Sequence, residues 1–402
     1  ETSREVRHSP VHERLLEAGA RFGQVAGWER PNWYAHDGHD APYDMSFGKP
    51  DWFPYWAGEH GAAREAVALF DQSSFSKYLV KGRDACSALQ RICTANIDVE
   101  PDRLVYTHWL NERGGIEADL TVFRIDEQTF WIISGAAVTH KDLDWLNRNI
   151  DGDAHCFVHD MTNAYAVLGV MGPNAYEFLQ PLVTVDLATE HFAFGQTRET
   201  EIGYAPVRLA RVSYVGECGW EVYVPVDMAR QVFDRLLDAG AGHGLRLAGM
   251  HALDSCRIEK KFLHFGHDIG DEDTPLEAGL AFVCAMDKHI PFIGRDAIAR
   301  QRDSKAYLRK RLVQFTLHDP QVMLYHHEPI MLDGNIVGFL TSGNYGHTLG
   351  ASVGLGYVRS EEAISRDVID GASWTIDVGG VAVPATASLG AQYDPRGLRM
   401  RG

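Results

Sequence analysis

Around residue 305 the pattern of the chain changes, and that change limits the folds open to it more than any other feature. Before it, strand-like and helix-like runs alternate: 77–80, 104–110, 118–125, 130–133 and 164–170 read as strands. The stretches 84–93, 136–149, 228–238 and 250–262 read as helices, and Gly172-Pro173 opens another. After it come short β-prone runs (312–317, 335–341, 353–358, 374–378, 381–387) separated by Gly, Asp and Asn turns, which is how a small antiparallel β domain reads. The chain thus predicts an α+β protein with a β domain at its C-terminal end, divided in the basic, polar stretch 302–311. Its 402 residues suffice for two or three domains at roughly 150 residues each.

Residues 1–58 differ from both parts. They hold four of the nine tryptophans (Trp28, Trp33, Trp52, Trp56) with Tyr34, Tyr43, Phe47, Phe53 and Tyr55, interleaved with Pro31, Pro42, Pro50 and Pro54. Only 11–22 reads as a helix there, and 62–70 reads as the next one. So much aromatic surface must pack against the rest of the protein or a partner, and the segment is assigned as a linker or docking surface. Residues 59–305 and 306–402 form the other two units.

Composition excludes several classes. With 45% hydrophobic, 10% aromatic and 23% charged residues, disorder, collagen and coiled coil fit poorly. A net charge of −17 opposes binding to nucleic acid or anionic lipid. No run approaches the ~18 apolar residues of a membrane helix, and the first residues lack a signal-peptide pattern. The six cysteines show neither CxxC nor clustering, so a reducing compartment is expected, the cytoplasm or, in a eukaryote, the mitochondrial matrix.

Several familiar signatures fail in context. Gly240, Gly242 and Gly244 end a helix rather than follow a strand, so no Rossmann site for FAD or NAD is expected. Gly350 to Gly354 spells GxSxG, yet strand-like residues follow where a nucleophile elbow needs a helix. His264, His267 and Asp268, and His326, His327 and Glu328, lack the spacing of a metal site, and no metal is expected.

Two stretches carry chemistry. In YTHWLNERGGIEADLTV (106–122) two strands flank an Glu-Arg-Gly-Gly turn, and Asp119 sits between Ala118 and Leu120. A carboxylate so placed either lies on the solvent side of its strand or has a task, since its desolvation costs several kcal/mol unless it is paired, an order-of-magnitude figure of roughly 2–7. In RVSYVGECGWEVYVP (211–225) the pattern reads as strand, glycine turn, strand, placing Tyr214 and Glu221 near one another. An aromatic beside a carboxylate suits a flat heterocycle with adjacent N–H donors.

With these motifs the chain resembles the glycine cleavage T-protein (aminomethyltransferase) family, and more closely the folate-binding C-terminal half of dimethylglycine and sarcosine dehydrogenases. GWERPNWY (27–34), LGVMGPNA (168–175), DSCRIEKKFLHFGHDI (254–269), DTPLEAGLAF (273–282), FIGRDA (292–297), LTSGNYGHTLGASVGLGYV (340–358) and YDPRGLRMRG (393–402) add to it, in order along nearly the whole chain. The resemblance implies a three-domain cloverleaf: two mixed α/β domains and a C-terminal β-barrel around a folate site. It makes Asp119 the catalytic carboxylate, Glu221 the pterin anchor and Tyr214 a folate contact. It also implies that tetrahydrofolate captures the carbon of an iminium, formed from an N-methyl amine of the sarcosine or dimethylglycine type, as 5,10-methylenetetrahydrofolate. FAD would reside on an absent or partner flavoprotein domain or subunit, with 1–58 as the contact surface. T-proteins commonly carry an arginine where this chain has Leu253 and a tyrosine where it has Phe123. The same fold also serves folate-dependent S- or O-demethylases, lipoyl-dependent aminomethyltransferases and the regulatory subunit of pyruvate dehydrogenase phosphatase.

Overall fold

In the computed structural model, which describes residues 3–38 and 46–401, the strands gather into an N-terminal hairpin, two open sheets and a closed six-stranded barrel. The first sheet orders Arg103–Leu110, Ile116–Arg124, Thr129–Ser134, Ser76–Lys81 and Phe157–Asp160, all antiparallel. The second orders Thr197–Ile202, Ala205–Ala210, Gly219–Pro225, Tyr165–Met171, Val67–Asp71 and Leu245–Leu247, only the last pair being parallel. The barrel closes through Lys310–Leu317, Ala351–Arg359, Asn335–Gly346, Pro329–Leu332, Trp374–Val378 and Val381–Ser388. This is the expected α+β class, mixed sheets and helices followed by an antiparallel β-barrel.

Strand alternation positions the site. Along Ile116–Arg124 the residues Ala118, Leu120 and Val122 enter one core with Leu89, Ile92, Trp109 and Phe130, so Asp119, Thr121 and Phe123 face the other way. Along Gly219–Pro225, Trp220, Val222 and Val224 enter a second core with Phe178, Phe192 and Phe233, which turns Glu221 and Tyr223 to the opposite side. The two remaining faces meet, since Phe123, Ile133, Val167, Ala210 and Tyr223 form a common buried cluster. The Phe123 and Tyr223 rings pack edge to face at 5.4 Å.

The structure corrects two expectations. The helix read over 11–22 covers only His12–Glu17; Ala20–Val25 then pairs as a strand with Trp28–Tyr34. Gly19 makes the break: its φ is +86°, and a Cβ there would lie 2.6 Å from the Ala35 carbonyl oxygen. The helix read over 62–70 is two elements, Phe53–Glu65 and the buried strand Val67–Asp71, because the short apolar run after Glu65 does not by itself separate strand from helix. Aromatics of 1–58 pack against the rest of the chain, one of the two expected ways of covering them. Trp33, Trp52 and Trp56 are buried with Phe70, Met250 and Leu253 of the same chain, while Phe47 is 96% exposed and meets Tyr325 edge-on. Pro42 and Tyr43 lie outside the described residues.

Candidate functional site

The hairpin register sets His108 directly across from Asp119, and Tyr106 across from Thr121. Leu104, Tyr106 and His108 therefore share a face with Asp119 and Phe123. The His108 ring, fully buried, brings Nε2 to 3.5 Å from Asp119 Oδ1 and 3.2 Å from the Tyr106 hydroxyl. The Asp119 side chain is 13% exposed, so it does not lie on a solvent face, and its Oδ1 is buried without a hydrogen bond. Burial, followed by the Asp119 charge, pushes the Tyr106 hydroxyl well above its ordinary range.

Glu221 lies on the facing sheet. The Tyr223 hydroxyl donates to its Oε2 at 2.6 Å. Burial drives the carboxyl up to about 7, against the opposing pull of that bond and of Lys77. Lys77 is itself fully buried, lowered to about 7 by burial, and its Nζ donates to the carbonyls of Ser73 and Phe75 at 2.9 and 2.7 Å. Across the sheet Glu221 pairs with Gly169, where a Cβ would lie 2.4 Å from Gln72 Oε1. Glycine thus makes room for the Gln72 amide beside the glutamate, and Gln72 Oε1 is a buried acceptor with no donor.

Tyr214 does not join Glu221. Residues 211–218 are irregular rather than strand, folded by Ser213 Oγ accepting from the amides of Gly216 and Glu217. Tyr214 OH donates to the Leu263 carbonyl at 2.8 Å and its ring stacks near Phe262. It is close enough to Asp254, Asp268 and Asp119 for their charges to add to burial in raising its pKa. Tyr214 thus belongs to the Asp119 side. Among the described residues no hydrogen bond links Glu221 to either.

The two T-protein departures have structural roles. Leu253 is buried among Trp33, Trp52 and Met250, and Phe123 braces the ring whose hydroxyl holds Glu221. Asp254, beside Leu253, accepts from Arg257 Nε at 2.7 Å and from Asn344 of the barrel; burial opposes its ionisation, but Arg257 and these bonds hold its pKa below the ordinary carboxylate range. Asp268 accepts from Arg257 at 2.7 Å and from Thr341 at 2.6 Å, a structural tie between this loop and the barrel. Ser352 of the GxSxG run lies within a strand and donates to the Val322 carbonyl. Among the described residues, Glu5, His8 and His12 bring potential ligand atoms within 4.8 Å of one another. The two imidazoles stack at 4.0 Å, and parallel ring planes cannot both aim an in-plane lone pair at one ion between them.

His108, Tyr106, Tyr223, Lys77 and Gln72 escape a motif reading. Period-two counting would have found the first three, since His108 sits across from Asp119, Tyr106 lies two residues along from His108, and Tyr223 two along from Glu221. No sequence signal marks Lys77 or Gln72, which reach the site through the fold.

The arrangement can accept N–H groups at Glu221 and Gln72 and take a proton at Asp119. Comparison with known proteins agrees with the fold. The model of the GCVT N-terminal domain matches residues 11–288 and that of the glycine cleavage T-protein C-terminal barrel domain residues 310–394. A 4-methylaminobutanoate oxidase (formaldehyde-forming) of Paenarthrobacter nicotinovorans is 43% identical over 100% of this chain and 48% of its own length. The mitochondrial pyruvate dehydrogenase phosphatase regulatory subunit of Mus musculus is 34% identical over 97% of this chain and 46% of its own. Mitochondrial sarcosine dehydrogenase of Mus musculus is 32% identical over 99% and 47%. The chain thus spans about half the length of these curated relatives. The crystal structure of the glycine cleavage system aminomethyltransferase T from Bartonella henselae superposes with a TM-score of 0.79 at 24% identity, covering 95% of this chain and 96% of that one. Among the described residues no helix is long and apolar enough to cross a membrane.

Proposed function

Because this chain belongs to the glycine cleavage T-protein family, we propose that it captures on tetrahydrofolate the one-carbon unit released when an N-methyl amino acid is oxidised. The observation that carries the reading is the unmet bonding capacity on the two facing sheets. Asp119 Oδ1 and Gln72 Oε1 are buried acceptors without donors, and Glu221 is a buried carboxyl with one oxygen engaged by Tyr223. Buried polar atoms are seldom left so, and N–H-rich pterin satisfies them.

When bound, tetrahydrofolate supplies the two nitrogens that take up the carbon as 5,10-methylenetetrahydrofolate. Glu221 and Gln72 anchor the pterin by accepting its N–H groups, the first with the added strength of charge. Tyr214, its hydroxyl committed to Leu263, offers its ring as a wall near Asp119. Asp119 stabilises the cationic one-carbon donor and accepts the proton released by the attacking nitrogen, with His108 Nε2 3.5 Å from its Oδ1. The low exposure of this site keeps water from the electrophile.

The oxidation itself falls to FAD on a flavoprotein domain or subunit beyond these residues. The 4-methylaminobutanoate oxidase and the sarcosine dehydrogenase each carry about as much chain again outside the matched part. Their names have in common a secondary N-methyl amine bearing a carboxylate, and that is the proposed substrate class.

The test is calorimetric titration of tetrahydrofolate. The unaltered protein is expected to bind, Asp119→Asn to keep the affinity, and Glu221→Ala to lose at least about tenfold. An unaltered protein that does not bind would defeat the proposal and leave the chain an interaction module, as in the phosphatase regulatory subunit.

A further inference from the structure

A cavity lies on the opposite face of the Gly219–Pro225 strand. While Glu221 and Tyr223 face the first sheet, Cys218 and Trp220 line a cavity of about 370 Å³ together with Tyr176, Thr189, Arg211 and Leu398. Its volume lies in the range that takes small molecules.

Arg211 is the unusual member. Its side chain is 1% exposed. Nη1 donates to the Phe192 carbonyl at 2.5 Å, and Nη2 to Thr189 Oγ1 and the Arg401 carbonyl, both at 3.0 Å. A guanidinium has five N–H donors, and here Nε is buried with no acceptor. Among the described residues no carboxylate pairs with it. Glu217, the acid on the cavity wall, is occupied by Arg64 at 3.0 Å, Arg399 at 2.7 Å and Tyr393 at 2.9 Å. Trp220 Nε1 is a second buried donor without a partner, and the Arg211 guanidinium stands 5.4 Å over the Trp220 ring.

An unpaired buried cation costs free energy unless an anion accompanies it. Among the described residues the cavity therefore combines a buried guanidinium with no carboxylate partner, two orphan donors and apolar walls, in a chain whose net charge is −17. We propose that this cavity is a binding site for a small carboxylate with a short apolar body. Its charged end would meet Arg211 and its tail the exposed Tyr176 and Leu398 surfaces. The inference stands apart from the roles given to Asp119 and Glu221, because it lies on the other face of the sheet.

Butanoate is the probe, titrated into the whole 402-residue protein by calorimetry, with 1-butanol as the uncharged counterpart. Saturable butanoate binding that Arg211→Met weakens at least about tenfold, with no binding of butanol, is the expected result. Leu398→Trp, which leaves Arg211 in place and fills the mouth from a half-exposed position, should weaken butanoate comparably and serves if the arginine variant does not fold. Tetrahydrofolate binding should be the same in both variants. Absence of butanoate binding at millimolar concentration, unchanged affinity in the variants, or equal binding of butanol would overturn the proposal.

Discussion

Replacing Glu221 by Gln should stabilise the protein at alkaline pH while removing its affinity for folate. The carboxyl is carried from 4.5 to about 7, chiefly by burial. At about 1.4 kcal/mol per pH unit this amounts to about 3 kcal/mol held against the folded state. The sign follows from proton binding: between 4.5 and about 7 the folded protein holds the proton more tightly than the unfolded chain. Stability therefore falls as pH rises through that window, and the whole penalty is in force above it. Glutamine has the same shape, can still accept from Tyr223, and carries no charge. Lys77 loses an attractive neighbour, but a neutral amine still satisfies the Ser73 and Phe75 carbonyls. Thermal melts should then show nearly equal midpoints at pH 4, below the window, and at pH 8 a variant more stable by up to about 3 kcal/mol, at roughly 2–4 °C per kcal/mol. Calorimetry at pH 8 should show folate affinity reduced at least about tenfold. A variant less stable at pH 8 would mean that Glu221 is held as the partner of Lys77, and unchanged folate affinity would remove it as the pterin anchor. Only a group kept for binding should combine the loss of one with a gain in the other.

Two further outcomes follow from the same geometry. Tyr223→Phe removes the 2.6 Å bond to Glu221 but leaves the ring against Phe123. At about 1.5–3 kcal/mol for a charged bond, the pH at which folate binding is half-maximal should rise by about one unit or more from about 7, with affinity largely recovered at high pH; a loss independent of pH would contradict this. Arg399→Ala frees the C-terminal turn Leu398–Arg401 from Glu217 and the Arg64 carbonyl. Because Arg399 is 42% exposed and Glu217 keeps Arg64 and Tyr393, a loss of about 1–2 kcal/mol is expected, read as a lower melting temperature and faster tryptic cleavage of the tail.

What could be read in the sequence follows from the range of the interactions involved. The barrel strands and the helix Ala85–Ile92 are written in local periodicity, and Asp119 and Glu221 stand out because a carboxylate interrupts an apolar strand. The sequence misleads where one local pattern serves two structures: 62–70 reads as one helix but is broken after Glu65 by a helix end, and 211–215 looks like a strand but is a loop pinned by Ser213. The aromatics of 1–58 are correctly read as surface that must be covered, yet no local rule says that Met250 and Leu253, some two hundred residues on, do the covering. The same limit applies inside the site. Tyr214 and Glu221 are seven residues apart and attend to different ends of it, whereas Lys77 and Glu221, far apart in sequence, share one buried field in which each is moved to about 7. The sequence can nominate an acid; whether that acid is ionised at neutral pH depends on which strands the fold lays over it.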